Sequence, residues 1–187
     1  MEKVTRLVRN FYAFGAGCSM ALVFGVIFVN AVRRYTIGKS IAWGEELPIY
    51  LAIYGVMFGI SYAYMQDGHI RFTILIDTIA EKSKAWLFAF CDVLTCASGV
   101  ALVFAGHAFA MRRGHVDSSG LKAVSKWIAE STGIDALVWI GKVGTWQYAM
   151  AIGGGMIAVA ALLRLIERIR EIQASKADPK SEEEVAA

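Results

Sequence analysis

Few side chains in this sequence could do chemistry, and their spacing limits what that chemistry could be. The three histidines are His69, His107 and His115. Two facing histidines can hold a haem between membrane helices. Here His69 follows the end of one apolar run and His107 stands near the end of the next, so antiparallel neighbours would carry them to opposite leaflets. His115 falls in the loop beyond, which leaves no pair to sandwich one haem. Cys91 and Cys96 are five residues apart, hence on different faces of a helix, and no His or further Cys is placed to complete a metal site with them. Together with Cys18 they fall inside the apolar runs and are expected to behave as small hydrophobes. The sequence has no phosphate-binding loop, dinucleotide fingerprint or activated-nucleophile motif. No catalytic residue, cofactor or metal ligand is therefore expected.

Asp92 is the exception, an acidic residue inside an otherwise uncharged run from Ala85 to Met111. An ionised group in hydrocarbon is costly unless paired or hydrated, so it is a default candidate for function. It could serve as a coupling carboxylate, or as a polar contact to a neighbouring helix or partner subunit. The second role is favoured, because His107 lies fifteen residues away, roughly 22 Å at the helical rise. No buried charge pair is expected.

The elements that must position these residues follow from the distribution of charge. Hydrophobic residues make up 57% of the chain and charged residues 19%, with a mean hydropathy of +0.50, too apolar for an ordinary soluble domain. No Asp, Glu, Lys or Arg occurs from Asn10 to Val32, from Leu47 to Gln66 or from Val143 to Leu163. With the Asp92 run, that makes four stretches of the roughly 20 apolar residues needed to cross a bilayer as a helix. The fold class is thus an all-α membrane protein of four transmembrane helices, at about 11–33, 47–66, 85–111 and 143–163 of a membrane domain covering 1–170. The basic residues cluster at span ends, as membrane topology signals do, which argues against nucleic acid as a partner. Eleven Lys and Arg lie in the N-terminal segment, the second loop and the C-terminal tail, against eight in the other two loops, which favours cytoplasmic termini.

Two loops carry helical periodicity. Over 71–82, Phe72, Leu75, Ile76 and Ile79 fall opposite Arg71, Asp77, Glu81 and Lys82. Over 121–131, Leu121, Val124, Trp127 and Ile128 fall opposite Lys122, Ser125, Lys126 and Glu130, before Thr132-Gly133 breaks the helix. Both are expected to be amphipathic helices lying flat on the lipid bilayer, one on each leaflet. The residues from 171 to 187 lose apolar periodicity and are expected to be a disordered cytoplasmic tail. Small residues recur at four-residue spacing in every span: Gly17, Ala21 and Gly25; Gly55, Gly59 and Ala63; Ala97, Ala101 and Ala105; Gly154 and Ala158. Such stripes allow close helix packing in lipid. No internal repeat is evident, which argues against an inverted-repeat transporter complete in itself.

The most specific local signal is the passage from the first span into the second. It runs Arg33-Arg34-Tyr35, then Trp43-Gly44-Glu45-Glu46-Leu47-Pro48-Ile49-Tyr50, and continues to Gly59 and to Gln66-Asp67-Gly68-His69-Ile70 at the far end. Helix-start chemistry accounts for the acids, the proline and the interfacial tryptophan, but not for the continuation. These residues resemble the small membrane subunit of the tripartite ATP-independent periplasmic (TRAP) transporters, the DctQ-like family, in layout over about residues 5 to 170.

The resemblance implies a multi-pass protein of the bacterial inner membrane. It would work beside a large TRAP permease subunit and a periplasmic substrate-binding protein, in ion-coupled, usually sodium-coupled, uptake of an organic acid such as a dicarboxylate or sialic acid. The small subunit would carry no substrate site and would brace the large one. On that reading Arg34, Trp43, Glu45, Glu46, Tyr50, Gly59 and His69 are candidate subunit-interface residues, and Asp92 an intramembrane polar contact. Two competing readings are a self-sufficient homo-oligomeric transporter and the membrane anchor of a respiratory oxidoreductase.

Overall fold

The computed structural model describes residues 2–66 and 81–177. Its long helices are α1 (Glu2–Ile37), α2 (Leu47–Met65), α3 (Glu81–Arg112) and α5 (Val143–Ala177), with a short amphipathic helix α4 (Leu121–Thr132) between the last two. Each long helix contains a window apolar enough to cross a membrane, so the four spans stand where charge-free sequence places them. At 36 residues, α1 is about 54 Å long at the helical rise, well beyond the roughly 30 Å hydrocarbon core. It ends at Gly38, whose φ of 74° only glycine adopts without strain, with the Gly38 amide donating to the Arg34 carbonyl. In α2, Pro48 occupies the first turn, where its missing N–H costs nothing.

The last helix departs from expectation. Instead of ending near Leu163 with a tail from 171, α5 continues helically to Ala177. Charged residues do not stop a helix that has left the hydrocarbon, since Arg, Glu, Ile and Leu all favour helix. The amphipathic stretch expected at 71–82 lies outside the described residues up to position 80, as does the tail from 178 onward.

α1 packs on α2, α2 on α5, and α5 along α3. The α3–α5 seam brings backbone onto backbone. A Cβ on Gly99 would stand 2.8 Å from the Gly154 carbonyl oxygen, and one on Gly106 would stand 2.6 Å from the Ala151 nitrogen. Close approach of this kind supplies the dispersion contacts that hold helices together where lipid removes the hydrophobic driving force. Ala97, Ala101 and Ala105, the expected stripe of this span, point outward. The working spacing on α3 is seven, which returns Asp92, Gly99 and Gly106 to one face.

At the α1–α2 contact the Phe58 ring covers Gly15, and Gly55 sits against Ser19. At the α2–α5 contact Met57 lies over Gly153. Tyr12, Met65, Met156 and Ala160 form a buried cluster where α1, α2 and α5 meet, and the Tyr12 hydroxyl donates to the Met156 carbonyl at 3.1 Å. Phe14, Phe24 and Phe104 are about 70% exposed, an outward apolar surface that suits lipid or another membrane chain.

Candidate interaction site

Four structural features decide what the candidate residues can do. The first is the corner between α1 and α2. The Ile41 amide donates to Asn30 Oδ1 at 2.7 Å, and Gly44 leaves room for that Asn30 side chain. Two residues on, the Glu46 carboxylate accepts from the Ser118 and Ser119 hydroxyls and from the Gly120 amide. Ser118 Oγ in turn accepts from the Leu121 amide. Glu46 therefore acts as an N-terminal cap for α4, supplied from another helix, where unpaired amides and the helix dipole favour an anion. Gly120 is required beside it, because a Cβ there would lie 2.3 Å from the Ala42 carbonyl oxygen. Tyr50 is also used within the chain, stacked on Trp146 with ring centroids 5.4 Å apart. Just outside, Asp117 pairs with Lys122 at 2.6 Å, and that hydrogen bond holds its carboxyl below the ordinary range.

The second is a polar triad near the α1 N-terminal end of the bundle. Tyr64 Oη donates to Asp92 Oδ1 at 2.5 Å, and Arg168 Nε donates to Asp92 Oδ2 at 2.9 Å. The Arg168 guanidinium also lies over the Phe88 ring, 4.8 Å from its centroid. The expectation of no buried charge pair is thus corrected. Arg168 falls beyond the uncharged run and attracts no notice in sequence, but the continued α5 helix carries it back along α3 to Asp92. Three helices share this contact, which gives Asp92 a neighbour-helix role. A carboxylate already held by a tyrosine and an arginine is a poor proton or ion carrier unless the pair opens.

The third is α4. It packs on the turn Asp135–Gly141 through Leu121, Ser125 and Ala129, with Gly141 against the Ser125 side chain. Ser125, expected on the polar face, is buried, and Trp127, expected on the apolar face, is 68% exposed. The reason is that this helix finds a partner within its own chain, which rotates the buried stripe by about one residue toward the small side chains. Trp127 and Trp139 are left as exposed aromatic groups.

The fourth is the outward surface. Arg34 and Glu45 are exposed, Trp43 is half-buried, and no carboxylate among the described residues lies within ion-pair distance of Arg34. A Cβ built on Gly17, Gly25 or Gly59 would meet nothing within 4 Å. Candidate residues thus divide. Glu46, Tyr50 and Asp92 are committed inside the chain, Arg34, Glu45 and Gly59 face outward, and His69 lies outside the described residues. Ser118, Ser119, Arg168 and Tyr64 were not legible as partners. Ser118-Ser119-Gly120 before an apolar run does have the composition of a helix cap, and was the available signal.

Comparison with known proteins settles which membrane protein this arrangement belongs to. The family described as tripartite ATP-independent periplasmic transporters, DctQ component, matches residues 23–171. The chain belongs to the DctQ family. Within a DctQ component, α1 from its middle onward, the Glu46 corner, the triad and the α4 hairpin all lie inside the matched region. The chain is also 28% identical over 75 residues, 40% of its length, to a Haemophilus influenzae protein described as a TRAP transporter small permease protein, and spans 47% of that relative. It is 27% identical over 78 residues, 42% of its length, to the sialic acid TRAP transporter permease protein SiaT of Haemophilus influenzae, and spans 13% of it. The chain therefore spans about half, or far less, of the curated relatives it matches. This DctQ component is a small TRAP transporter subunit and a multi-pass inner-membrane protein.

Proposed function

We propose that this subunit braces a large TRAP permease subunit in the bilayer during binding-protein-dependent, ion-coupled uptake of an organic acid such as a dicarboxylate or sialic acid, the latter being the substrate that one relative's description names. The observation that carries the proposal is the outer face of α1. Gly17 and Gly25 are open there, flanked by exposed Phe14, Phe24 and Phe28. Small residues beside large apolar ones, eight positions apart and unfilled by the chain itself, suit close packing of a further membrane helix. The buried polar groups support the same reading, since Asp92 is held by Tyr64 and Arg168 and Glu46 caps α4. The termini are assigned to the cytoplasm by the excess of basic residues on that side. Affinity purification from native membrane should return a large multi-span permease. Return of this chain alone, with substrate uptake by it in liposomes, would favour the homo-oligomeric transporter instead.

A further inference from the structure

One end of the bundle carries a cavity of about 540 Å³ between α1, α2 and α5, walled by Arg6 and Arg9 from α1, Met65 from α2, and Arg164 and Glu167 from α5. Glu167 is already committed: the Thr5 hydroxyl donates to it at 2.8 Å and Arg164 at 3.3 Å. Arg6 and Arg9 stand one turn apart on one face of α1 and have no carboxylate within ion-pair distance among the described residues. Among the described residues, Arg6 and Arg9 thus bring two guanidiniums to the cavity wall with no carboxylate beside them. Two like charges at i,i+3 repel and disfavour the helix unless a counter-ion joins them.

The depth of the cavity indicates the counter-ion. The uncharged run of α1 begins at Asn10, immediately after Arg9, and that of α5 ends at Leu163, immediately before Arg164. All three arginines thus stand where hydrocarbon gives way to headgroups, the level of the lipid phosphates. Guanidinium forks match phosphate oxygens two at a time, and basic pockets between membrane helices take anionic headgroups.

From this geometry we propose that the cavity binds the phosphodiester of an anionic phospholipid. The ligand belongs to the phosphatidylglycerol and cardiolipin class. A zwitterionic headgroup fits less well, because its ammonium would need a carboxylate and Glu167 is already occupied. The bound lipid adds a second tie between α1 and α5 beside the Thr5–Glu167 hydrogen bond.

The test uses the purified subunit with any co-purifying permease. Native mass spectrometry and thermal-shift titration would be run with phosphatidylglycerol, cardiolipin, phosphatidylethanolamine and inorganic phosphate in turn. Phosphatidylglycerol and cardiolipin should bind and raise the melting temperature, and Arg6→Gln/Arg9→Gln should weaken them about 30-fold. Unchanged helicity of that variant in detergent would show that it still folds, and Arg6→Lys/Arg9→Lys should retain part of the binding. The proposal is overturned if phosphatidylethanolamine binds as well as the anionic lipids, or if the glutamine variant binds them like wild type. An equal response to inorganic phosphate would also overturn it, since the site would then hold a free anion.

Discussion

Arg168 Nε lies 2.9 Å from Asp92 Oδ2, so a residue near the end of the last long helix neutralises the one acid within the Ala85–Met111 run. Asp92 is 5% exposed at its side chain and Arg168 17%, so the ion pair is largely withdrawn from solvent. Removing one partner of such a buried pair costs about 3–5 kcal/mol, most of it the penalty on the charge left behind. Asp92→Ala should therefore destabilise the folded subunit strongly, and Asp92→Ala/Arg168→Met should recover much of the loss. A double-mutant cycle read by thermal unfolding in detergent checks this. Additive effects would show that the two residues do not act as a pair.

The α3–α5 seam makes a sharper demand. A Cβ on Gly106 would stand 2.6 Å from backbone nitrogen of Ala151, which has no flexible side chain to give way. Gly106→Val should force the helices apart at a cost of about 1–3 kcal/mol, whereas Gly59→Ala, with open space around it, should leave the melting temperature unchanged. Equal sensitivity at the two positions would contradict the seam.

Glu46 caps α4 from a distance of more than seventy residues in sequence. Glu46→Ala should loosen the first turn of α4 by about 1–2 kcal/mol, seen as faster amide hydrogen exchange at Leu121 to Ser125 while the four spans keep their protection. Exchange that stays at wild-type rates would mean that packing on Asp135–Gly141 alone holds the helix.

The outer face of α1 separates folding from assembly. Gly17→Leu/Gly25→Leu should leave the isolated subunit's stability within about 0.5 kcal/mol, as for surface changes elsewhere, because a Cβ at either site would meet no other element among the described residues within 4 Å. Recovery of the large permease in a pull-down should fall at least several-fold. Recovery at the wild-type level would place the partner on another face.

The four spans were legible because the bilayer imposes one rule that charge-free stretches satisfy or break. The seams between them were not. Gly99 and Gly106 are seven apart, and a search at four-residue spacing finds Ala97, Ala101 and Ala105 instead, which turn outward. The Glu46 cap joins segments distant in sequence, so neither side announces the other. Arg168 escaped notice because hydropathy ends a span at the first charge, whereas the helix itself continues to Ala177. For α4 the helix stands where the periodicity puts it and Leu121 is buried on its apolar face, but Ser125 is buried and Trp127 exposed, since the turn Asp135–Gly141 takes up the small side chains.

The neighbour order α1, α2, α5, α3 has a consequence for how the chain enters the membrane. The first two helices form a hairpin whose mutual contacts need nothing from the later helices, with Phe58 over Gly15 and Gly55 against Ser19. The last two long helices make a second hairpin, closed by glycine backbones. What joins the two is the line along α2 and α5, where Met57 covers Gly153, the Thr5 and Tyr12 hydrogen bonds from α1 to α5, and the three-helix polar knot of Tyr64, Asp92 and Arg168. Insertion can thus proceed in two separate strokes, and the knot forms only when the second stroke brings its arginine home.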